Sequence, residues 1–226
     1  MIKAPTAKDP VVLSYLALRR AVGCVALGLP FALAIPWALR CHIVESSISG
    51  YYYTGMRNLF VGSLCAISMF MLCCRGYDRK DEIAGMFSAL CALGIAFFPT
   101  VPDCGATDLQ KHIGKAHYTF ATLLFLTLAY FCLVLFKMTA DNKELTRKKL
   151  QRNRVYTGCG YAILASILMI GIHKLLHVDY SIGSLDPTFC FESTALLAFG
   201  FAWLIKGETF LKDEGSYTVV TADGSI

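Results

Sequence analysis

The sequence predicts an all-α protein, a bundle of six transmembrane helices with both termini in the cytoplasm. Three observations predict it. The 226 residues are 56% hydrophobic and only 16% charged, with a mean hydropathy of +0.55, against roughly 25% charged residues in ordinary soluble domains. The apolar residues fall in continuous runs instead of alternating with period two, which selects helices over a membrane barrel. Lys and Arg are distributed unequally across the resulting map. Sixteen of the 21 fall on one side, and Arg40, Arg57, Lys111, Lys115 and Lys174 make up the other. The positive-inside rule makes the richer side cytoplasmic.

The spans expected from a requirement of roughly 20 apolar residues are 21–39, 59–74, 83–98, 118–136, 155–172 and 189–205. They leave residues 1–20 as a cytoplasmic N-terminal segment, 21–206 as the membrane domain and 207–226 as a flexible cytoplasmic tail. The first ten residues carry Lys3, Lys8 and Asp9 and lack the apolar core of a cleaved signal, so the first span is expected to serve as the targeting signal. Pro30 and Pro36 predict a kink in that span. Tyr51, Tyr52 and Tyr53 can extend the second helix into the interface. Thr107 followed by Gln110 is a capping-box pattern that places the start of the fourth helix near Asp108. Asp186-Pro187 offers an N-cap and a first-turn proline for the sixth. Tyr53-Thr54-Gly55 and Tyr156-Thr157-Gly158 hint at a three-plus-three repeat of the kind found in transporters.

The net charge of +5 follows from membrane topology and implies no nucleic-acid partner; membrane lipid is the expected one, and the plasma (inner) membrane the expected location. All five histidines, His42, His112, His117, His173 and His177, fall on or near the extracytoplasmic side. His173 and His177 are four residues apart on one helix face, the spacing of a two-histidine metal grip, which makes zinc the expected ion if one is bound. Glu192 is the most deeply embedded acid, and such a residue calls for a partner or a task. Arg57, His112 and His117 are its candidate partners, and these four together form a candidate binding site for a lipid headgroup or small polar ligand. Cys104 and Cys190 are expected to pair as a disulfide across the outer face. Cys73 and Cys74 suit S-palmitoylation at the cytoplasmic edge.

Walker loops, dinucleotide fingerprints, nucleophile elbows and paired CxxC sites are absent from the sequence, which argues against an ATPase, a nicotinamide enzyme or a common serine hydrolase. The segments SISGYYYTGMRNLFVG (47–62), RGYD (75–78), FFPT (97–100), QRNRVY (151–156) and FGFAWLIKGE (199–208) together resemble a group of bacterial multi-pass membrane proteins classed as a domain of unknown function, loosely similar to damage-regulated autophagy modulators. The resemblance implies the six-helix membrane fold and no established activity. A second likeness is to zinc-dependent membrane hydrolases of the alkaline ceramidase type, in which Ser49, Asp103, His173 and His177 would take the Ser, Asp and His parts. This chain departs from their seven-helix order and does not place its HxxxH in the final helix. Three readings of function follow: a ligand-binding membrane protein, a zinc-dependent hydrolase of a lipid amide or ester, and a small transporter.

Overall fold

The computed structural model describes residues 10–73, 79–102, 104–138, 146–176, 181–182 and 185–209. Within them the chain forms six α-helices: α1 (Pro10–Cys41), α2 (Arg57–Cys73), α3 (Arg79–Phe97), α4 (Asp108–Leu133), α5 (Arg147–Leu176) and α6 (Pro187–Lys206). Short 3-10 helices at Ser49–Tyr53 and Leu135–Lys137 flank α2 and α4. Each helix packs on its neighbours in sequence, and α6 returns to pack on α1. The bundle is therefore a closed ring of alternating direction. The ends of α1, α3 and α5 gather with the starts of α2, α4 and α6 at one pole, called here the outer pole.

Leu16–Cys41 of α1, Asp108–Lys137, Arg147–Leu176 and Pro187–Lys206 are long and apolar enough to cross a membrane. The 17 residues of α2 span only ~26 Å at 1.5 Å per residue, a little less than a hydrocarbon core. The first turn of α3 carries Arg79, Lys80, Asp81 and Glu82. Large apolar side chains face outward along the whole ring, among them Leu39, Met69, Leu90, Leu126, Leu168 and Phe201. So much outward apolar surface needs lipid instead of water as solvent.

Helix contacts inside the ring rely on small residues. The buried face of α3 includes Ala84, Gly85, Ser88, Ala89, Ala92, Gly94 and Ala96, the composition that lets backbones approach when lipid removes the hydrophobic drive for association. At the α1–α6 crossing, a Cβ on Gly200 would meet the Gly23 carbonyl oxygen at 2.9 Å and the Leu27 amide nitrogen at 2.9 Å. Phe131, Phe136, Phe199 and Trp203 fill the pole opposite the outer one in tilted and edge-to-face contacts.

The helix-end chemistry matches the sequence reading. Thr107 caps α4, with the reciprocal contacts to Gln110 both formed, and Asp186 caps α6 ahead of Pro187. Helix α1 begins at Pro10 and contains both Pro30 and Pro36. One expectation needs correction: Tyr53-Thr54-Gly55 lies at the turn before α2, whereas Tyr156-Thr157-Gly158 lies well inside α5. The two triplets therefore occupy unlike positions, and their likeness carries no repeat.

Candidate functional site

The outer pole encloses a cavity of about 700 Å³. Helical periodicity builds its walls. Tyr118, Ala121, Thr122 and Phe125 of α4 line one side, and Ile167, Ile170, Gly171 and Lys174 of α5 line another. Both sets follow the i, i+3, i+4, i+7 spacing of a single helix face. Because α4 runs away from the outer pole and α5 toward it, Tyr118 and Lys174 sit at the mouth, while Phe125 and Ile167 lie about 10 Å deeper, seven residues along each helix. The cavity thus grades from polar at the mouth to apolar at the base. Thr188 and Glu192, one turn apart on α6, complete the wall together with the 45–50 segment and Thr100.

Glu192 organises this pole. Its carboxylate accepts the backbone N–H of Ile48 at 2.6 Å and that of Ser49 as well. Those amides open the 3-10 helix Ser49–Tyr53, so the acid on α6 holds the start of a segment far away in sequence. The rest of the segment is secured by its aromatic rings. Tyr51 is fully buried, and the Tyr53 hydroxyl donates to the Thr100 carbonyl at 2.6 Å. Thr100 in turn donates from its hydroxyl to Tyr118 at 2.9 Å. Glu45 accepts the indole N–H of Trp37 at 2.9 Å, which fixes a second carboxylate on the cavity wall. Burial raises the Tyr51 and Tyr53 phenols above their ordinary range.

Two cavity groups are left without partners among the described residues. The Thr188 hydroxyl is buried and makes no hydrogen bond. Lys174 has no hydrogen-bond or ion-pair partner, although its charge is close enough to act on Glu192. A second, smaller apolar space of about 50 Å³ lies along the axis of the ring and shares Ser49, Ala121, Phe125 and Glu192 with the main cavity. It continues between Leu64, Leu128 and Phe199.

Of the four residues grouped from the sequence, only Glu192 lines this cavity. Arg57 points outward, donates to the Tyr52 hydroxyl and lies 4.2 Å above the Tyr52 ring. His112 is exposed, with Nδ1 at 2.7 Å from the Asp108 carbonyl of its own helix. His117 is buried, but its Nδ1 lies 2.7 Å from the carbonyl of Phe98 at the end of α3. A carbonyl only accepts, so Nδ1 carries the proton and His117 serves as an α3–α4 clasp. The expected partnership of Glu192 with these three side chains is corrected: backbone amides, which a sequence does not display, satisfy the carboxylate instead.

His173 lies in the last turn of α5, and its expected zinc partner His177 lies outside the described residues, as do Asp103 and Cys74. Among the described residues no group of three or more His, Cys, Asp or Glu side chains is placed to hold a metal ion. The expected Cys104–Cys190 disulfide is also corrected, because both thiols are free. Cys104 precedes α4, which packs on α3 and α5, whereas Cys190 sits on α6 between α5 and α1. Glu45 is one of the acids that the sequence gathers with the histidines at the outer face, whereas Lys174 and Thr188 were not singled out from the sequence. The run Glu45-Ser46-Ser47-Ile48-Ser49 ahead of three tyrosines, and a lone lysine at the outer end of α5, were the available signals. In comparisons with known proteins, the chain matches no family model, no curated protein and no solved structure.

Proposed function

We propose that this chain crosses the plasma (inner) membrane six times with both termini cytoplasmic. On this reading its outer cavity binds an amphipathic ligand, with the polar head at the mouth and the apolar part at the base. Helices α2 and α3 sit in the ring between the long apolar helices α1 and α4. Leaving either outside the bilayer would open that ring and strand its apolar surface in water. The Lys and Arg asymmetry supports the orientation, since it assigns Lys137, Lys149 and Arg152 to the cytoplasmic side, opposite the cavity.

The observation that carries the ligand-binding reading is the polarity gradient of the cavity. Tyr118, Lys174 and Thr188 lie toward the mouth, Glu192 follows one turn further along α6, and Phe125 and Ile167 lie deepest on α4 and α5. Ligand sites pair a large apolar lining with a few convergent polar groups in this way. Lipid is the most abundant amphiphile that an outer-pole cavity meets.

Native mass spectrometry of protein purified in mild detergent tests this function. A bound amphiphile is expected on the wild-type chain and not on Ala121→Trp, which fills the junction of the two cavities, with helicity unchanged by circular dichroism. Equal occupancy in both proteins would overturn the reading.

A further inference from the structure

The charges of the cavity are arranged for a ligand that carries both signs. Lys174 and Glu192 face the same space, and their charges act on each other, yet they form no ion pair within 4.0 Å. Lys174 has no partner among the described residues, and the buried Thr188 hydroxyl beside Glu192 also makes no hydrogen bond. A buried hydroxyl without a partner carries a desolvation cost that a bound acceptor removes. A carboxylate has about four lone-pair sites, and the Ile48 and Ser49 amides occupy two of those on Glu192, which leaves acceptor capacity for a donor in the cavity.

We infer that the cavity takes a zwitterionic phospholipid of the ethanolamine type, its phosphate held by Lys174 and Thr188 and its ammonium by Glu192. This assignment rests on the amphiphile-binding reading above and names the chemistry of the head. A phosphate supplies acceptors for the two unpartnered donors, and charge-assisted contacts of this kind are the strong ones. A primary ammonium supplies donors for the remaining carboxylate capacity, with Glu45 as a second acid on the same wall. A quaternary head has no N–H to give and prefers an aromatic cage. An anionic head without an amine gives its phosphate to Lys174 but leaves Glu192 and Glu45 facing it with no cation of the ligand to offset them. The acyl chains lie against Phe125, Ile167 and Ile170, and one can enter the axial space past Ala121.

Calorimetry on the full chain in mild detergent, with short-chain forms of phosphatidylethanolamine, phosphatidylglycerol and diacylglycerol and with free phosphoethanolamine, tests the assignment. A charge-assisted hydrogen bond corresponds to about tenfold in affinity. Phosphatidylethanolamine is expected to bind about tenfold tighter than phosphatidylglycerol, and free phosphoethanolamine more weakly than the lipid. Lys174→Ala, at an exposed position, is expected to weaken both phospholipids about tenfold and leave diacylglycerol unchanged. Glu192→Gln keeps an acceptor for the Ile48 amide and is expected to weaken phosphatidylethanolamine alone. Equal or tighter binding of phosphatidylglycerol, or unchanged phosphatidylethanolamine binding in Lys174→Ala, would overturn the zwitterion while the amphiphile reading stood. Equal affinity for free phosphoethanolamine would overturn a lipid source for the head. Binding of none of the four would overturn the amphiphile reading itself.

Discussion

The Glu192 carboxylate on α6 accepts the Ile48 amide at 2.6 Å, joining residues 144 positions apart in sequence. Through this contact the acid holds the 3-10 helix that forms part of the cavity wall, so a binding element and a fold element are the same side chain. Replacing Glu192 with Ala removes the acceptor for the Ile48 and Ser49 amides, at a cost of about 1–3 kcal/mol. Thermal unfolding in detergent is expected to show a clear loss for Glu192→Ala and a smaller one for Glu192→Gln, whose amide oxygen still accepts. Equal losses in the two variants would mean that the amides do not depend on this acceptor.

The α1–α6 contact closes the ring through two glycines. A Cβ on Gly200 would stand 2.9 Å from the backbone of α1, and neither backbone atom can rotate away. Gly200→Ala is therefore expected to cost about 1–3 kcal/mol through overpacking. Gly158→Ala, where a Cβ meets nothing within 4 Å, is expected to be neutral or slightly stabilising, since alanine is the better helix former. A shared unfolding assay of the two variants checks the contrast, which disappears if α1 and α6 do not cross at Gly23.

At the start of α4, Thr107 and Gln110 satisfy two backbone amides reciprocally. Thr107→Ala is expected to cost about 1 kcal/mol. Hydrogen exchange should speed up at the first turn of α4 and not at its centre. Uniform acceleration along the helix would instead point to global loosening.

Orientation is open to direct labelling. In a cysteine-free background, Ala106→Cys is expected to react with an impermeant maleimide in intact cells, and Leu145→Cys only after the membrane is opened. The opposite pattern would invert the topology and place the cavity on the cytoplasmic side.

Much of the fold was legible because lipid imposes simple rules. The runs behind α1, α4, α5 and α6 are long and apolar, and the caps at Thr107 and Asp186 are local patterns of side chain and backbone. The site was only partly legible, for a physical reason. Glu192 announced itself as an embedded acid, but its partners are main-chain amides of Ile48 and Ser49, which no residue type advertises. The outward clustering of histidines suggested a shared site, yet His117 clasps α3 and His112 bonds within its own helix. A helix end exposes carbonyls that an imidazole can satisfy, so proximity to one pole does not amount to convergence. Lys174 was counted as a topological charge, and only the packing of α5 against α4 and α6 shows that it overlooks a cavity.

The central claim, that this cavity holds an amphiphile, is tested most directly by photo-crosslinking. The full chain in nanodiscs would be irradiated with a phospholipid bearing a diazirine in its acyl chain, and the adducts located by peptide mass spectrometry. The predicted adducts fall on Phe125, Ile167 and Ile170, the apolar base of the cavity, and are suppressed by Ala121→Trp. Adducts confined to Leu168 and Leu175, which face outward from α5 at 63% and 78% exposure, would show lipid touching only the outside of the bundle and would contradict the claim.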